Sequence, residues 1–184
     1  MIITISGTAG SGKTSVAIAI AKKLGYTYYG AGEIRRRYAL DHSMSLERLN
    51  ELSESDPGSD RMVDEHMRVL AEHDDNIVVD GRVAFLFMPR SIKVFIDAGL
   101  EVRAKRIMDE KRPGEEFKSL EEAKNALQKR QLSDVKRYHA LYGIDAFDAG
   151  HYDLIIDNTS RGVDAVAGEI YRFAMFKANE LNQN

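Results

Sequence analysis

Gly7-Thr8-Ala9-Gly10-Ser11-Gly12-Lys13-Thr14 fits the pattern G-x-x-x-x-G-K-[S/T] at every fixed position. Its flanks decide the reading. Before it stands Met1-Ile2-Ile3-Thr4-Ile5, short, β-branched and apolar. After it, Ser15 to Leu24 reads as a helix with Val16, Ile20 and Leu24 on one face and Gly25 as its C-terminal stop. Strand, glycine loop and helix follow in the order a phosphate cradle requires. Glycines let the loop curl so that successive N–H groups point inward, and the helix N-terminus adds its positive end. On this reading Gly7, Thr8, Ala9, Gly10, Ser11, Gly12, Lys13, Thr14 and Ser15 enclose the phosphates of a nucleotide. Lys13 reaches the β- and γ-phosphates, and the Thr14 hydroxyl holds Mg²⁺. A chance glycine-rich turn is the competing reading, and the adjoining strand and helix argue against it. The motif leaves open whether the γ-phosphate goes to water, to an acceptor, or nowhere.

The chain has 184 residues, 43% of them hydrophobic, which is enough for one full core and suits a doubly wound α/β domain. A net charge of −3 excludes the global basic footprint of a nucleic-acid binder. The absence of cysteine excludes disulfides, thiolate zinc sites and a cysteine nucleophile, and fits a reducing compartment. Met1 stands almost directly before the first strand, with no charged and apolar leader. No apolar run approaches the roughly 18–20 residues of a membrane span. The expectation is a soluble, cytoplasmic monomer whose partners are small-molecule nucleotides, with no nucleic acid and no membrane.

Further strands are expected at Tyr26 to Tyr29, Asn76 to Gly81, Ile92 to Asp97 and Tyr152 to Ile156. Helices are expected at Ala31 to Asp41, from about Ser45 through Leu52, after Asp56-Pro57 to about His73, at Glu101 to Lys111, at Ser119 to Tyr142 and at Val163 to Leu181. In the helix after Pro57, the residues Met62, His66, Val69 and Leu70 read as inward. Lys111-Arg112-Pro113-Gly114 reads as a break. Alternating strands and helices predict a parallel sheet. Residues 31–73 and 112–142 fall outside that alternation and read as insertions beside the nucleotide site, within one domain spanning 1–184. The histidines, His42, His66, His73, His139 and His151, show no metal-ligand spacing.

Several of these segments together resemble the nucleoside monophosphate kinases, most closely the short cytidylate kinases common in archaea. The likeness rests on the glycine loop, Ala31-Gly32-Glu33-Ile34-Arg35-Arg36, Val79-Asp80-Gly81-Arg82, Glu101-Val102-Arg103-Ala104-Lys105-Arg106, and Tyr138 through Tyr142-Gly143-Ile144-Asp145. It covers nearly the whole chain. The resemblance implies a three-layer P-loop NTPase fold with a five-stranded parallel sheet, a nucleotide-acceptor insertion over 31–73 and a short lid over 112–142. It also implies that Arg36 and Arg82 hold the acceptor phosphate. Arg130 and Arg137, in Arg130-x-x-x-Asp134-x-x-Arg137, would close over the phosphates as catalytic groups with Lys13, and Arg103 and Arg106 would contact ATP. Bacterial members usually carry aspartate where this chain has Val83, so their base-reading contacts are not carried over and the base stays open.

Each site has a plainer alternative. Arg130, Asp134 and Arg137 fall on one helix face, which suits two guanidinium groups aimed at one target or an exposed salt-bridged face. Arg36 lies in a run of arginines of which one or two can face a cleft, leaving Arg35 and Arg37 solvated. Asp80 ends a strand, as a carboxylate that positions Mg²⁺ through water does, or as a simple turn cap. Asp60 and Asp64 are expected to contribute to the acceptor pocket, or to form an ordinary acidic first turn. The expected reaction is γ-phosphoryl transfer from Mg-ATP to CMP or dCMP. AMP or UMP as acceptor is the nearest alternative. A nucleotide switch is a more distant one, and its D-x-x-G and N-K-x-D signatures are absent from the sequence.

Overall fold

In the computed structural model, which describes residues 1–73, 75–110 and 116–181, the apolar runs form five parallel strands. They are β1 (Ile2–Gly7), β2 (Thr27–Gly30), β3 (Ile77–Asp80), β4 (Ile92–Asp97) and β5 (Leu154–Asp157), in spatial order β2-β3-β1-β4-β5. Successive side chains of a strand point to opposite faces, and the sheet uses this to make two cores. Ile3, Ile5 and Val78 face a cluster with Val16, Ile20, Val166 and Ile170. Ile77 and Val79 face another with Met67, Leu70, Ala84 and Met88. Complete burial of a side chain such as Ile5 stabilises the fold by about 1.5–3 kcal/mol. Helices on both faces of a parallel sheet give the expected three-layer architecture.

The layer facing Ile3 and Ile5 is α1 (Lys13–Leu24) and α8 (Val163–Leu181). Gly25 ends α1 in a left-handed cap at φ 69°. Between β2 and β3 the chain builds α2 (Ala31–Asp41), α3 (Leu46–Ser53) and α4 (Gly58–His73). Ser45 caps α3 by accepting from the Arg48 N–H, and Asp56 accepts from the Gly58 N–H at the start of α4. After β3 comes α5 (Ala84–Phe87), too short to show a period in the sequence. After β4, α6 (Leu100–Asp109) packs against α7 (Leu120–Tyr142), with Ala104, Ile107, Ala123 and Leu127 between them. Ser119 caps the start of α7 and Gly143 its end, at φ 70°. A short 3-10 turn, Ala149–His151, precedes β5. The expected break at Lys111 to Gly114 lies outside the described residues, as does the start of the 112–142 segment.

The inward face of α4 differs from the expected one. Leu70 is buried as expected, but Met62, His66 and Val69 are exposed, whereas Asp60, Asp64 and Met67 are buried and Val63 is half-buried. The helix presents two carboxylates to its neighbours, so a search for apolar periodicity selects a stripe rotated away from the true one. No helix among the described residues is long and apolar enough to cross a membrane.

Strand register places the ligand edge. Ile5 pairs with Asp80, Gly7 with Ile96 and Asp97 with Asp157. The C-terminal ends of β1, β3, β4 and β5 therefore share one edge of the sheet, where open α/β proteins bind ligands.

Candidate active site

The loop between β1 and α1 has the backbone that its glycines require. Gly7, Gly10 and Gly12 take φ of +140°, +79° and +91°. At Gly7 a Cβ would lie 1.9 Å from the Ile96 carbonyl oxygen of the neighbouring strand, so only glycine fits. Side chains then pin the curl. Thr8 donates to Asp97 Oδ1 at 2.6 Å, Ser11 donates to the Thr8 carbonyl at 2.9 Å, and Lys13 Nζ donates to that same carbonyl at 2.6 Å. Asn158, after β5, donates from Nδ2 to the Ser11 carbonyl at 2.7 Å. Arg106 bridges Ser11 O and Asn158 O at 3.1 and 2.8 Å. Asp97 and Asn158 carry no motif in the sequence; only the parallel register brings their strand ends to the loop.

Thr14 donates to Asp80 Oδ2 at 2.6 Å. Two hard oxygen donors side by side at the first turn of α1 fit Mg²⁺, which prefers oxygen ligands and keeps several waters. Ser15 is exposed at the same rim, Ala9 packs toward the α6–α7 cluster, and Ser11 and Thr8 are buried within the loop.

From this loop a cleft of about 110 Å³ runs toward α2 and α4. Lys13, Thr14, Asp80, Arg36, Arg82 and Arg130 all line it. The structure thus joins the expected phosphate-loop residues to the expected acceptor arginines in one continuous space. Asp60 and Asp64 line its far wall and are only 4% and 6% exposed, which removes the reading of an ordinary solvated first turn. Arg36 pairs with no carboxylate among the described residues.

Behind the cleft lies a charge network that no local motif announces. Arg35 Nη1 contacts Asp60 Oδ1 at 2.5 Å, and its Nη2 donates to Asn50 and Ser53 at 3.1 and 3.2 Å. Arg137 Nε lies 3.1 Å from Asp60 Oδ2, and its Nη2 lies 2.6 Å from Asp134 Oδ1. Arg82 Nη1 lies 2.7 Å from Asp134 Oδ2. The chain Arg35–Asp60–Arg137–Asp134–Arg82 ties α2, α4, α7 and the segment after β3 together. Arg35 is therefore not solvated, contrary to the sequence expectation; its partner is 25 residues away on another helix. Arg37 is exposed and pairs only with Asp41.

Asp134 and Arg137 are 1% and 2% exposed, so the 130–137 face is not a solvated salt-bridge ladder. Neither of these two residues lines the cleft itself; they stand behind Arg82 and Asp60. Arg103 is 8% exposed, and burial lowers its pKa while Asp97 works the other way. Arg82 Nε, Arg103 Nε and Arg137 Nη1 are buried donors without a hydrogen-bond acceptor among the described residues. Asp60 Oδ2 and Asp134 Oδ2 are likewise buried without a hydrogen bond although ion-paired, so the network holds orphaned atoms of both signs.

The carboxyls differ in their support. Burial raises the pKa of both Asp60 and Asp64; Arg35 and Arg137 oppose this at Asp60, and a hydrogen bond from Tyr142 opposes it at Asp64. That bond, from the Tyr142 hydroxyl to Asp64 Oδ2, is 2.6 Å long.

A model of the cytidylate kinase-like family matches residues 2–160. A cytidylate kinase of Pyrococcus abyssi is 38% identical over 179 residues, covering 97% of this chain and 92% of that protein. One from Methanocella arvoryzae is 34% identical over 172 residues, covering 94% and 95%. Among solved structures, shikimate kinase from Bacteroides thetaiotaomicron aligns with a TM-score of 0.68 at 16% identity, covering 95% of this chain and 98% of that one. This last likeness carries the P-loop kinase fold alone. With the phosphate loop, the parallel sheet and the arginine-lined cleft in place, the sequence match is decisive: the chain belongs to the cytidylate kinase-like family.

Proposed function

We propose that this chain is an ATP-dependent cytidylate kinase, transferring the γ-phosphoryl group of Mg-ATP to the 5′-phosphate of CMP or dCMP to give ADP and CDP or dCDP. The observation that carries this reading is the single cleft joining Lys13 and Thr14 to Arg36 and Arg82, with the buried Arg82 and Arg137 donors lacking acceptors beside it. A phosphate dianion in the cleft supplies the acceptor that Arg82 lacks. In this reading residues 31–73 are the acceptor-binding insertion and 112–142 the lid.

An oxygen of the acceptor phosphate attacks the γ-phosphorus as the bond to the β-phosphate bridging oxygen breaks. No general base is required, because the acceptor's second pKa is about 6 and it is largely dianionic at neutral pH. The work is positioning and charge neutralisation. The loop from Gly7 to Ser15 holds the ATP phosphates through backbone N–H groups, with Arg103 and Arg106 on the donor side. Lys13 and Arg130 neutralise charge as it shifts, joined by Arg137 once lid closure brings it from behind Asp60 and Asp134 into the cleft. Arg36 and Arg82 orient the acceptor, with Asp134 fixing Arg82 and Asp60 and Asp64 forming the far wall. Thr14 and Asp80 would hold Mg²⁺, and the ion would supply further charge neutralisation at the phosphates. Closure by the lid excludes water, without which ATP would be hydrolysed. All these groups lie on one chain, so a monomer suffices, and the reaction belongs in the cytoplasm with its nucleotides.

A coupled assay with Mg-ATP against CMP, dCMP, UMP, AMP and GMP at matched concentration, with an acceptor-free control, tests this. Preferential turnover of CMP or dCMP is expected. Preference for AMP would overturn the acceptor assignment, and turnover of none would overturn the kinase reading.

A further inference from the structure

CMP and UMP share phosphate, sugar and size, and differ at one ring edge. Cytosine presents an amino donor at N4 beside an acceptor at N3; uracil presents an acceptor at O4 beside a donor at N3. Telling them apart requires a fixed acceptor at that edge. Four carboxylates line the cleft, Asp60, Asp64, Asp80 and Glu110, of which Glu110 is exposed at the C-terminal end of α6. Asp80 is engaged by Thr14 at the phosphate loop. Asp60 is ion-paired on both sides, its Oδ1 to Arg35 and its Oδ2, which accepts no hydrogen bond from any described residue, 3.1 Å from Arg137 Nε.

Asp64 is different. It lies one turn further along α4, is 6% exposed, and pairs with no Lys or Arg among the described residues. Its Oδ2 accepts the Tyr142 hydroxyl at 2.6 Å, while its Oδ1 accepts no hydrogen bond from any described residue. A buried carboxylate without a cation is costly unless something else satisfies it. The walls beside it are apolar and suit a flat ring: Val63, Met67, Val83 and Phe87 line the same cleft. Tyr142 is itself held in place, edge-on to Phe87 at 6.2 Å and stacked on Tyr138 at 6.0 Å between centroids.

We propose that Asp64 is the specificity-determining residue that accepts the cytosine amino group, and that Tyr142 positions it by occupying one oxygen so that the other serves the base. This rests on the reading of the cleft as a nucleoside monophosphate site. Uracil in the same pose sets its O4 against the carboxylate, leaving both acceptors unpaired and repelling, which is how a site rejects a near-isostere.

The test is kcat/KM for CMP and for UMP at saturating Mg-ATP in the wild type, Asp64→Asn and Tyr142→Phe. Asp64→Asn keeps the shape, and its amide can donate to uracil O4. The wild type favours CMP. In Asp64→Asn the CMP/UMP ratio falls by about 10²-fold, through loss for CMP and retention or gain for UMP, with KM for ATP unchanged. Tyr142→Phe lowers the ratio by about tenfold, and it serves where Asp64→Asn fails to fold. A wild-type ratio near one, or variant ratios equal to the wild type, would overturn the assignment while leaving the kinase reading intact. If the wild type phosphorylates neither nucleotide, the underlying reading fails as well.

Discussion

On the proposed reading, the donor and acceptor halves of the cleft grip phosphate by different means. On the donor side the ligand-facing groups are largely backbone, shaped by Gly7, Gly10 and Gly12 and pinned from outside by Asp97, Asn158 and Arg106. On the acceptor side they are side chains from α2, α4, α7 and the turn after β3, held by one another's charges. A backbone cradle is written in consecutive residues and serves any nucleoside triphosphate. A side-chain cradle is assembled from distant positions and can be tuned to one acceptor, but most of its members, Arg36 excepted, also carry part of the fold.

That contrast sets what substitutions should do. The largest expected effect is at Asp134. Asp134→Ala leaves the buried Arg137 and the half-buried Arg82 without their shared carboxylate, and should cost about 3–5 kcal/mol of stability in urea unfolding. A loss of activity with unchanged stability would show that Asp134 binds substrate rather than holding the wall. Next comes Lys13→Ala, a donor-side change. It should lower kcat/KM by about 10²–10³-fold for every acceptor alike, with little change in the thermal midpoint. An effect confined to CMP would erase the proposed division.

A smaller effect concerns pH. The folded pKa of Asp64 is raised, first by burial and then by Asp60, against Tyr142, Arg68 and Arg35. The folded state thus holds this proton more readily than the unfolded chain. The carboxyl's contribution to stability is fully present below its unfolded pKa and is lost as pH rises through the higher folded one. Asp64→Asn should accordingly be at least as stable as the wild type at neutral pH in urea melts, even as it loses specificity. In the wild type the CMP/UMP ratio should fall as pH is lowered through the range in which the Asp64 carboxyl gains its proton, because ionisation of the acceptor phosphate is common to both and cancels. A ratio flat across that range would detach Asp64 from base reading. The smallest effect is at Lys129, which bridges Glu47 and Glu51 of α3 from the exposed face of α7. Exposed pairs contribute little, so Lys129→Ala should leave the unfolding midpoint within error.

The same contrast explains what the sequence revealed. The strand, loop and first helix, the caps at Ser45 and Ser119 and the stops at Gly25 and Gly143 are local chemistry and can be read directly. The inward face of α4 could not be, since Asp60 and Asp64 are buried by partners remote in the chain. Arg35 looked solvated for the same reason, and Asn158 and Asp97 acquire roles only through strand register. Tyr142 stood in a recognised segment, but its bond to Asp64 spans 78 residues.

Arg36 separates the two halves most cleanly, because it lines the cleft and supports no ion pair among the described residues. The decisive measurement is KM for CMP and for ATP in Arg36→Ala. Loss of one charge-assisted contact to the acceptor should raise KM for CMP by about 10–100-fold while KM for ATP stays within about twofold. Equal rises in both would contradict a cleft divided into a backbone-built donor half and a side-chain-built acceptor half.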